Sequence, residues 1–156
     1  MIFVTVGTTD FDALVRAVDS LAPQLNEEVV VQIGRGRYEP GNCKWFRFVP
    51  SLEPYYERAD AVIAHGGLGT VMEVLRRGGR LIGVANPDRY DQHQEDLLSY
   101  LAEEGHLIWC ADLDSLPHDL RRARGASFKP YASPECRIHE VIADFLEGIA
   151  GRSQTS

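Results

Sequence analysis

A histidine followed by closely spaced glycines is the part of this sequence best suited to binding a ligand. The run His65-Gly66-Gly67-Leu68-Gly69-Thr70 follows the short apolar segment 61–64, which has the length and composition of a buried strand. Glycine lets a backbone approach a bulky ligand closely. The helix predicted to follow directs free N–H groups and the positive end of its dipole at the same place. These features together favour binding of an anion, most commonly phosphate.

A carboxylate lies close to this glycine run. Glu73 comes four residues after Gly69, so the two share a face of the predicted helix. Because a carboxylate repels phosphate, its expected role is to accept hydrogen bonds from neutral hydroxyls, such as the two of a ribose. The run matches neither G-x-x-x-x-G-K-[ST] nor G-x-G-x-x-G, so neither the phosphate-loop nor the dinucleotide fingerprint applies. The predicted ligand is a nucleoside diphosphate.

Two loops elsewhere carry further candidate contacts. Gly7-Thr8-Thr9 follows the first predicted strand, at the strand end where open α/β sheets bind ligands. The alternative for this segment is an ordinary turn before a helix, in which Thr9 and Asp12 resemble a capping box. The loop 34–41 carries Arg35 and Arg37, which could contact phosphate or a partner protein, or could simply be solvated.

These motifs resemble a known family when they are taken in order along the chain. The glycine run, Glu73, Gly79, a strand and then Asp91-Gln92-His93-Gln94 are similar to the nucleotide-sugar signature of GT-B glycosyltransferases. The narrower resemblance is to the C-terminal, donor-binding domain of glycosyltransferase family 28. The start of the chain, from Val4 to Asp12, is similar to a subgroup in which this domain is a separate subunit. That subgroup includes dolichol-linked UDP-N-acetylglucosamine transferases and bacterial exopolysaccharide enzymes.

The resemblance implies a set of donor contacts. Nucleotide and donor binding is expected at these residues: Gly7, Thr8, Thr9, His65, Gly66, Gly67, Gly69, Thr70, Glu73, Gln92, His93 and Gln94. Residues 92–94 would contact hydroxyls of the sugar, and the alternative for them is a capped helix start. The backbone of 48–50 would contact uracil, or would be a plain strand end. No catalytic residue is expected in this chain, because the base would lie on a partner. No cofactor is expected, and no metal either, because no His, Cys or Asp spacing suggests a metal site.

The function that the resemblance implies is that of a UDP-sugar-binding catalytic subunit in a two-component, inverting glycosyltransferase. A membrane-associated partner subunit would bring a lipid-linked saccharide acceptor. This chain would then be cytoplasmic and peripheral at the membrane through that partner. Two alternatives stay open: a nucleotide-sugar-binding module without catalysis, and a UDP-sugar epimerase or hydrolase that works as a homodimer.

The elements that must position these residues alternate between strands and helices. Apolar runs predict strands at residues 2–6, 29–33, 45–49, 61–64, 81–85 and 107–110. Right-handed crossovers then give a mostly parallel, Rossmann-like α/β sheet with helices on both faces, which is the C-terminal half of a GT-B fold. One domain is expected over 1–150, with a frayed tail at 151–156.

Hydrophobic spacing predicts which helix faces are buried. In the helix after the glycine run, the core-facing stripe is predicted to be Leu68, Val71, Met72 and Leu75. A final helix over 134–149 is predicted to pack an apolar stripe on the domain, and that stripe includes Ile142 and Leu146.

Composition argues against several kinds of partner. The chain has 23 acidic and 16 basic residues and a net charge of −7, which disfavours nucleic acid and a polybasic membrane anchor. No apolar run approaches the roughly 20 residues that span a bilayer. Met1 leads directly into a strand rather than into a secretory leader. Three cysteines without a C-x-x-C pair indicate reduced thiols.

Overall fold

The fold is built on one parallel sheet, seen in a computed structural model that describes residues 1–88 and 93–133, together with 142, 143 and 146. The strands in these residues are β1 (Ile2–Thr5), β2 (Val29–Gln32), β3 (Lys44–Phe46), β4 (Ala61–His65), β5 (Leu81–Val84) and β6 (Ile108–Cys110). The α-helices are α1 (Asp12–Leu21), α2 (Glu53–Arg58), α3 (Leu68–Arg76), α4 (His93–Glu103) and α5 (Leu116–Gly125). Short 3-10 turns at Ala22–Gln24 and Leu113–Ser115 follow α1 and precede α5.

The strands lie in the order β3-β2-β1-β4-β5-β6, and all neighbouring pairs are parallel. Ile2 is in register with Val29 on one side and with Ala61 on the other, so β1 is central. The chain moves outwards from β1 to β3 and then returns to the other side of β1 with β4. In sheets of this kind, the crevice at such a reversal, outside the carboxyl ends of the strands, is where ligands bind. The predicted Rossmann-like class is confirmed.

Helices cover both faces of the sheet, so strands β1, β2, β4 and β5 are buried on both sides. Helices α1 and α5 pack on one face, against side chains that include Val4, Val31, Ile63 and Ile82. Helices α2, α3 and α4 pack on the other face, against side chains that include Phe3, Val30, Val62 and Leu81. Helix α4 packs especially closely, since a Cβ at Gly83 would lie 2.3 Å from Leu98 Cδ2.

Two predictions near the start of the helices are wrong. Leu68 is 61% exposed, and the buried residues of α3 are Val71, Val74 and Leu75. Leu68 is the first residue of the helix, where the chain has only just left the carboxyl end of β4. The capping box does not form, because the Thr9 hydroxyl donates to the Val6 carbonyl and no side chain caps α1.

Two predictions about the edge of the sheet and the end of the chain also differ from the structure. Strand β3 ends at Phe46 rather than at residue 49, and Phe48 is 54% exposed. An edge strand has a partner on one side only, so fewer residues hold it in the sheet. In the predicted final helix, Ile142 and Leu146 are more than half exposed, against the expected packing. Apart from position 143, the rest of that helix and the tail 151–156 lie outside the described residues.

The buried carboxylate of Asp19 on α1 anchors the loop between β2 and β3. It accepts hydrogen bonds from the Tyr38 hydroxyl at 2.6 Å, from the Gly41 amide at 3.1 Å and from the Asn42 amide at 2.7 Å. Burial disfavours the charged form, but these donors outweigh it and lower the pKa of Asp19 below its ordinary value of 3.8. The ionised carboxylate therefore stabilises the fold above that pH, and its contribution is lost as pH falls through the lowered pKa.

We expect Asp19→Asn to lower the free energy of unfolding at neutral pH by about 1–3 kcal/mol, because an amide cannot accept from all three donors. Urea unfolding of both proteins across pH should show a full difference at neutral pH that shrinks below pH 3.8. Asp96→Asn, at an exposed carboxylate of α4, is the control and should change stability by no more than about 0.5 kcal/mol. If the difference in free energy of unfolding stays constant across this pH range, the ionised Asp19 carboxylate does not stabilise the fold as described.

Candidate functional site

The loops after β1 and β4 meet at the reversal point of the sheet. A Cβ built on Gly7 would lie 2.8 Å from Nε2 of His65 and 3.7 Å from Oγ1 of Thr70. Gly7 has a φ of +64°, a conformation that favours glycine. The structure therefore brings together Gly7, His65 and Thr70, which the sequence had placed in two separate candidate loops.

A buried chain of hydrogen bonds positions the Gly7 turn. The Gly7 amide donates to Oγ1 of Thr5 at 2.9 Å, and that hydroxyl donates to Oε1 of Gln32 at 2.6 Å. The Gln32 amide then donates to the carbonyl of Arg47 at 3.3 Å, at the end of β3. Thr5 is 0% exposed and Gln32 is 4% exposed. Sequence analysis missed both residues, although a polar side chain within a buried apolar strand is the signal that could have identified them.

The two threonines after Gly7 have different environments. Thr8 is exposed beside the crevice. Thr9 is used by the turn itself, since its hydroxyl donates to the carbonyl of Val6 at 2.8 Å. Thr8 is therefore the threonine of this loop whose side chain can meet a ligand without breaking the turn.

His65 is the last residue of β4 and is 8% exposed. Its Nδ1 accepts a hydrogen bond from the Gly67 amide at 3.3 Å. A neutral imidazole that accepts at Nδ1 carries its proton on Nε2, the nitrogen that faces Gly7. Gly67 cannot carry a side chain here, because its Cβ would lie 2.4 Å from Cε1 of His65. The histidine and the glycine thus determine the shape of the loop together.

Helix α3 begins in this loop and is suited to binding an anion. The amides of its first turn, at residues 68–70, have no acceptor within the helix. No acidic residue lies in that turn, and Gly69 has no neighbouring atom within 4 Å of a Cβ. The start of the helix is therefore open to the crevice and has the positive end of the helix dipole.

Glu73 lies one turn further along, on the same face of α3 as Thr70. Its side chain is 46% exposed and its carboxylate is 3.8 Å from the guanidinium of Arg77. The phenol of Tyr56 lies beside it, and burial together with the Glu73 charge raises the pKa of Tyr56 to about 12. The carboxylate is thus accessible and only loosely paired within the part of the chain that the structure describes.

The start of α4 closes the floor of the site. A Cβ at Gly66 would lie 2.9 Å from Cβ of Gln94, and Oε1 of Gln94 accepts from the amide of Asn86 at 3.1 Å. His93 is exposed at the first position of α4, and Gln92 lies outside the described residues. Gln94 therefore links the start of α4 to the loop after β5 through its side-chain carbonyl, and its contact with a sugar stays a prediction.

Asn86 is a third residue that was not identified from the sequence. It is 8% exposed, and its side chain donates to the carbonyl of Asp10 at 3.0 Å and accepts from the amide of Asp88 at 3.1 Å. It joins the loop after β5 to the loop after β1. In the sequence, Asn86 precedes Pro87 at the end of a predicted strand, and nothing there indicates its contact with Asp10.

The described residues show no features of a metal site or of a reactive thiol. Among residues 1–88, 93–133 and the three described positions beyond, no three His, Cys, Asp or Glu side chains are grouped to hold a metal ion. Within the same residues, no helix is long and apolar enough to cross a membrane. Cys43 and Cys110 are free thiols, and burial raises their pKa values to about 12 and about 11, so both are poor nucleophiles at neutral pH.

Comparison with solved structures defines the class as one half of a GT-B glycosyltransferase. MurG of Acinetobacter baumannii superposes with a TM-score of 0.65 and 23% identity, over 91% of this chain and 48% of that one. SnogD of Streptomyces nogalater has a TM-score of 0.57 and 27% identity, over 78% of this chain and 33% of that one. This chain therefore matches between a third and a half of such enzymes.

The chain belongs to the glycosyltransferase family 28 C-terminal domain family, whose model matches residues 1–149. It is similar to the UDP-N-acetylglucosamine transferase subunit ALG13 of Mus musculus, with 39% identity over 121 residues, and spans 10% of that protein's length. Against ALG13 of Yarrowia lipolytica the identity is 28% over 157 residues, covering 90% of this chain and 80% of that protein. The NMR structure of ALG13 has a TM-score of 0.61 at 22% identity, over 90% of this chain and 93% of that one.

Proposed function

We propose that this chain is the UDP-sugar-binding subunit of a two-component, inverting glycosyltransferase that acts on a lipid-linked saccharide. The observation that carries the proposal is the meeting of the Gly7 turn, His65 and the open start of α3 at the reversal point of the sheet. The relatives that are named as UDP-N-acetylglucosamine transferase subunits support the choice of donor and the need for a partner. A membrane-associated partner would keep this chain peripheral at the membrane.

In this proposal each part of the site holds one part of the donor. The amides at the start of α3 and the loop from His65 to Thr70 bind the diphosphate, with Gly7 and Thr8 on its other side. Glu73 accepts hydrogen bonds from the ribose hydroxyls. The backbone after β3, at residues 48–50, contacts the uracil base, and residues 92–94 contact the sugar.

The proposed chemistry is one displacement. An acceptor hydroxyl attacks the anomeric carbon, the bond from that carbon to the UDP oxygen breaks, and the configuration inverts. The leaving diphosphate gains negative charge, which the α3 amides and helix dipole stabilise without having to reorganise. The hydroxyl proton passes to a base on the partner, and this chain contributes donor binding and leaving-group stabilisation.

Calorimetric titration of the purified chain with UDP and with ADP tests the proposal. We expect UDP to bind and ADP to bind at least about tenfold more weakly, a difference of about 1.4 kcal/mol. The same titration is then repeated on the chain co-purified with its candidate membrane partner, together with an assay for sugar transfer to a lipid-linked acceptor. Absence of UDP binding in both preparations, at millimolar ligand, would overturn the proposal.

A further inference from the structure

The turn after β2 carries two arginines at the same rim of the sheet as the candidate site. A Cβ at Gly34, where φ is +53°, would lie 2.3 Å from the carbonyl of Thr9 and 2.8 Å from that of Gly7. The turn formed by residues 34–37 therefore packs directly on the Gly7 turn. Any side chain that it presents outwards lies beside the crevice.

The backbone of this turn is held from several sides. The amide of Arg35 donates to the carbonyl of Thr9 at 2.9 Å, and the amide of Arg37 donates to both carboxylate oxygens of Asp12 at 3.0 and 3.2 Å. The guanidinium of Arg47 donates to the carbonyl of Gly36 at 2.7 Å. These contacts fix the Cα positions of Arg35 and Arg37, so that two cations project from a rigid support.

Within the part of the chain that the structure describes, the two guanidinium groups take no part in holding the fold. Both side chains are exposed, and neither makes an ion pair within residues 1–88 and 93–133. Most other arginines of that part of the chain have a carboxylate partner: Arg47, Arg58, Arg77, Arg122 and Arg124. The chain has a net charge of −7, yet this turn carries two exposed arginines without a carboxylate partner in the described residues, directly against the Gly7 turn.

We propose that Arg35 and Arg37 form a second anion-binding site that takes a phosphoryl group other than the diphosphate of the donor. Guanidinium groups match the oxygens of phosphate in geometry and charge. The sheet order places β2 and β4 on opposite sides of β1. At about 4.8 Å between neighbouring strands, the second site lies roughly 10 Å from the start of α3. This inference rests on the proposed function, because that function assigns the first site to the donor.

One ligand chemistry with two possible sources fits this site. The phosphoryl group can belong to a soluble phosphate ester or diphosphate, such as the head of an acceptor, or to a phospholipid headgroup of the membrane on which the acceptor resides. Both present phosphate oxygens to the same two guanidinium groups, and separate binding experiments distinguish them.

The first experiment titrates inorganic pyrophosphate into protein that is already saturated with UDP, and follows the backbone amide shifts of residues 34–37 by NMR. We expect the double variant Arg35→Gln/Arg37→Gln to bind pyrophosphate at least about tenfold more weakly than wild type. Arg121→Gln on α5, which also removes an exposed arginine without an ion pair in the described residues, is the matched control and should bind as wild type does. UDP affinity should be the same in all three proteins.

The second experiment measures cosedimentation with phosphatidylcholine vesicles that contain or lack phosphatidic acid. Binding that requires phosphatidic acid and is lost in the double variant would assign the site to a phospholipid headgroup. Pyrophosphate binding without vesicle binding would assign it to a soluble phosphoryl group. The proposal is overturned if wild type binds neither probe, or if the double variant binds them as wild type does.

Anion binding by the two arginines can be measured whether or not UDP binds. If UDP does not bind, pyrophosphate is titrated into the chain without UDP, and the amides of residues 34–37 still show whether the arginines hold an anion. Failure at the donor site and failure at the arginine site therefore give different results.

Discussion

Replacing Glu73 with alanine is expected to weaken UDP binding by about tenfold or more, or roughly 1.4 kcal/mol, with little change in the stability of the fold. The carboxylate is proposed to accept hydrogen bonds from both ribose hydroxyls, and hydrogen bonds to a charged group are among the stronger ones. The ion pair of Glu73 with Arg77, at 3.8 Å on the same helix, is of a kind that contributes only about 0.3–0.5 kcal/mol. Calorimetric titration with UDP and urea unfolding measure the two effects separately.

Two variants make this test specific. Glu73→Gln keeps a hydrogen-bond acceptor without the charge, so its UDP affinity should lie between those of wild type and Glu73→Ala. Glu103→Ala removes an exposed carboxylate at the far end of α4 and should leave UDP affinity unchanged. Equal affinities of Glu73→Ala and wild type would refute the ribose contact. An equal loss in Glu103→Ala would show that net charge, not position, controls binding.

The second large effect is expected for Gly7→Ala, which should lower both stability and UDP affinity. An alanine must adopt the left-handed φ of +64°, and its Cβ would lie 2.8 Å from Nε2 of His65. Strain of this kind costs about 1–3 kcal/mol. Because His65 must also move, the loop that leads into α3 changes shape, and we expect UDP affinity to fall by about tenfold or more.

Gly41→Ala is the matched control for this substitution. Gly41 lies in an exposed loop, has no positive φ and has no atom within 4 Å of a Cβ. Urea unfolding and UDP titration on both variants, at a temperature where both are folded, give the comparison. If Gly7→Ala loses stability as expected but binds UDP with wild-type affinity, the Gly7 turn does not belong to the donor site.

The fold could be predicted from the sequence because its signals are local. Apolar runs of strand length alternate with helical spacings, and glycines mark the turns. Since crossovers between parallel strands are right-handed, few arrangements of such units are possible. Gly78 illustrates this: it follows Arg77, the C-cap of α3, with a φ of +73°, the conformation in which glycine commonly ends a helix.

The errors arose where a distant residue decided the outcome. Asp12 was expected to take part in a capping box, but its carboxylate is bound to the amide of Arg37 on another loop. Thr5 and Gln32 were not identified, because their hydrogen bond joins two strands 27 residues apart. A polar side chain within a buried apolar strand marks each of them, but no local pattern shows which distant residue it bonds, so this support beneath the Gly7 turn was found only in the structure.

The central position of β1 has a consequence for the order in which the protein folds. During synthesis β2 can pair with β1 early, but the other edge of β1 has to wait for β4, since Ile2 pairs with Ala61. Until then an apolar strand with unpaired amides and carbonyls is exposed, a condition that promotes misfolding and aggregation. The crevice is formed at that same junction of β1 and β4. The nascent chain therefore has no candidate site until the second edge of β1 has paired with β4.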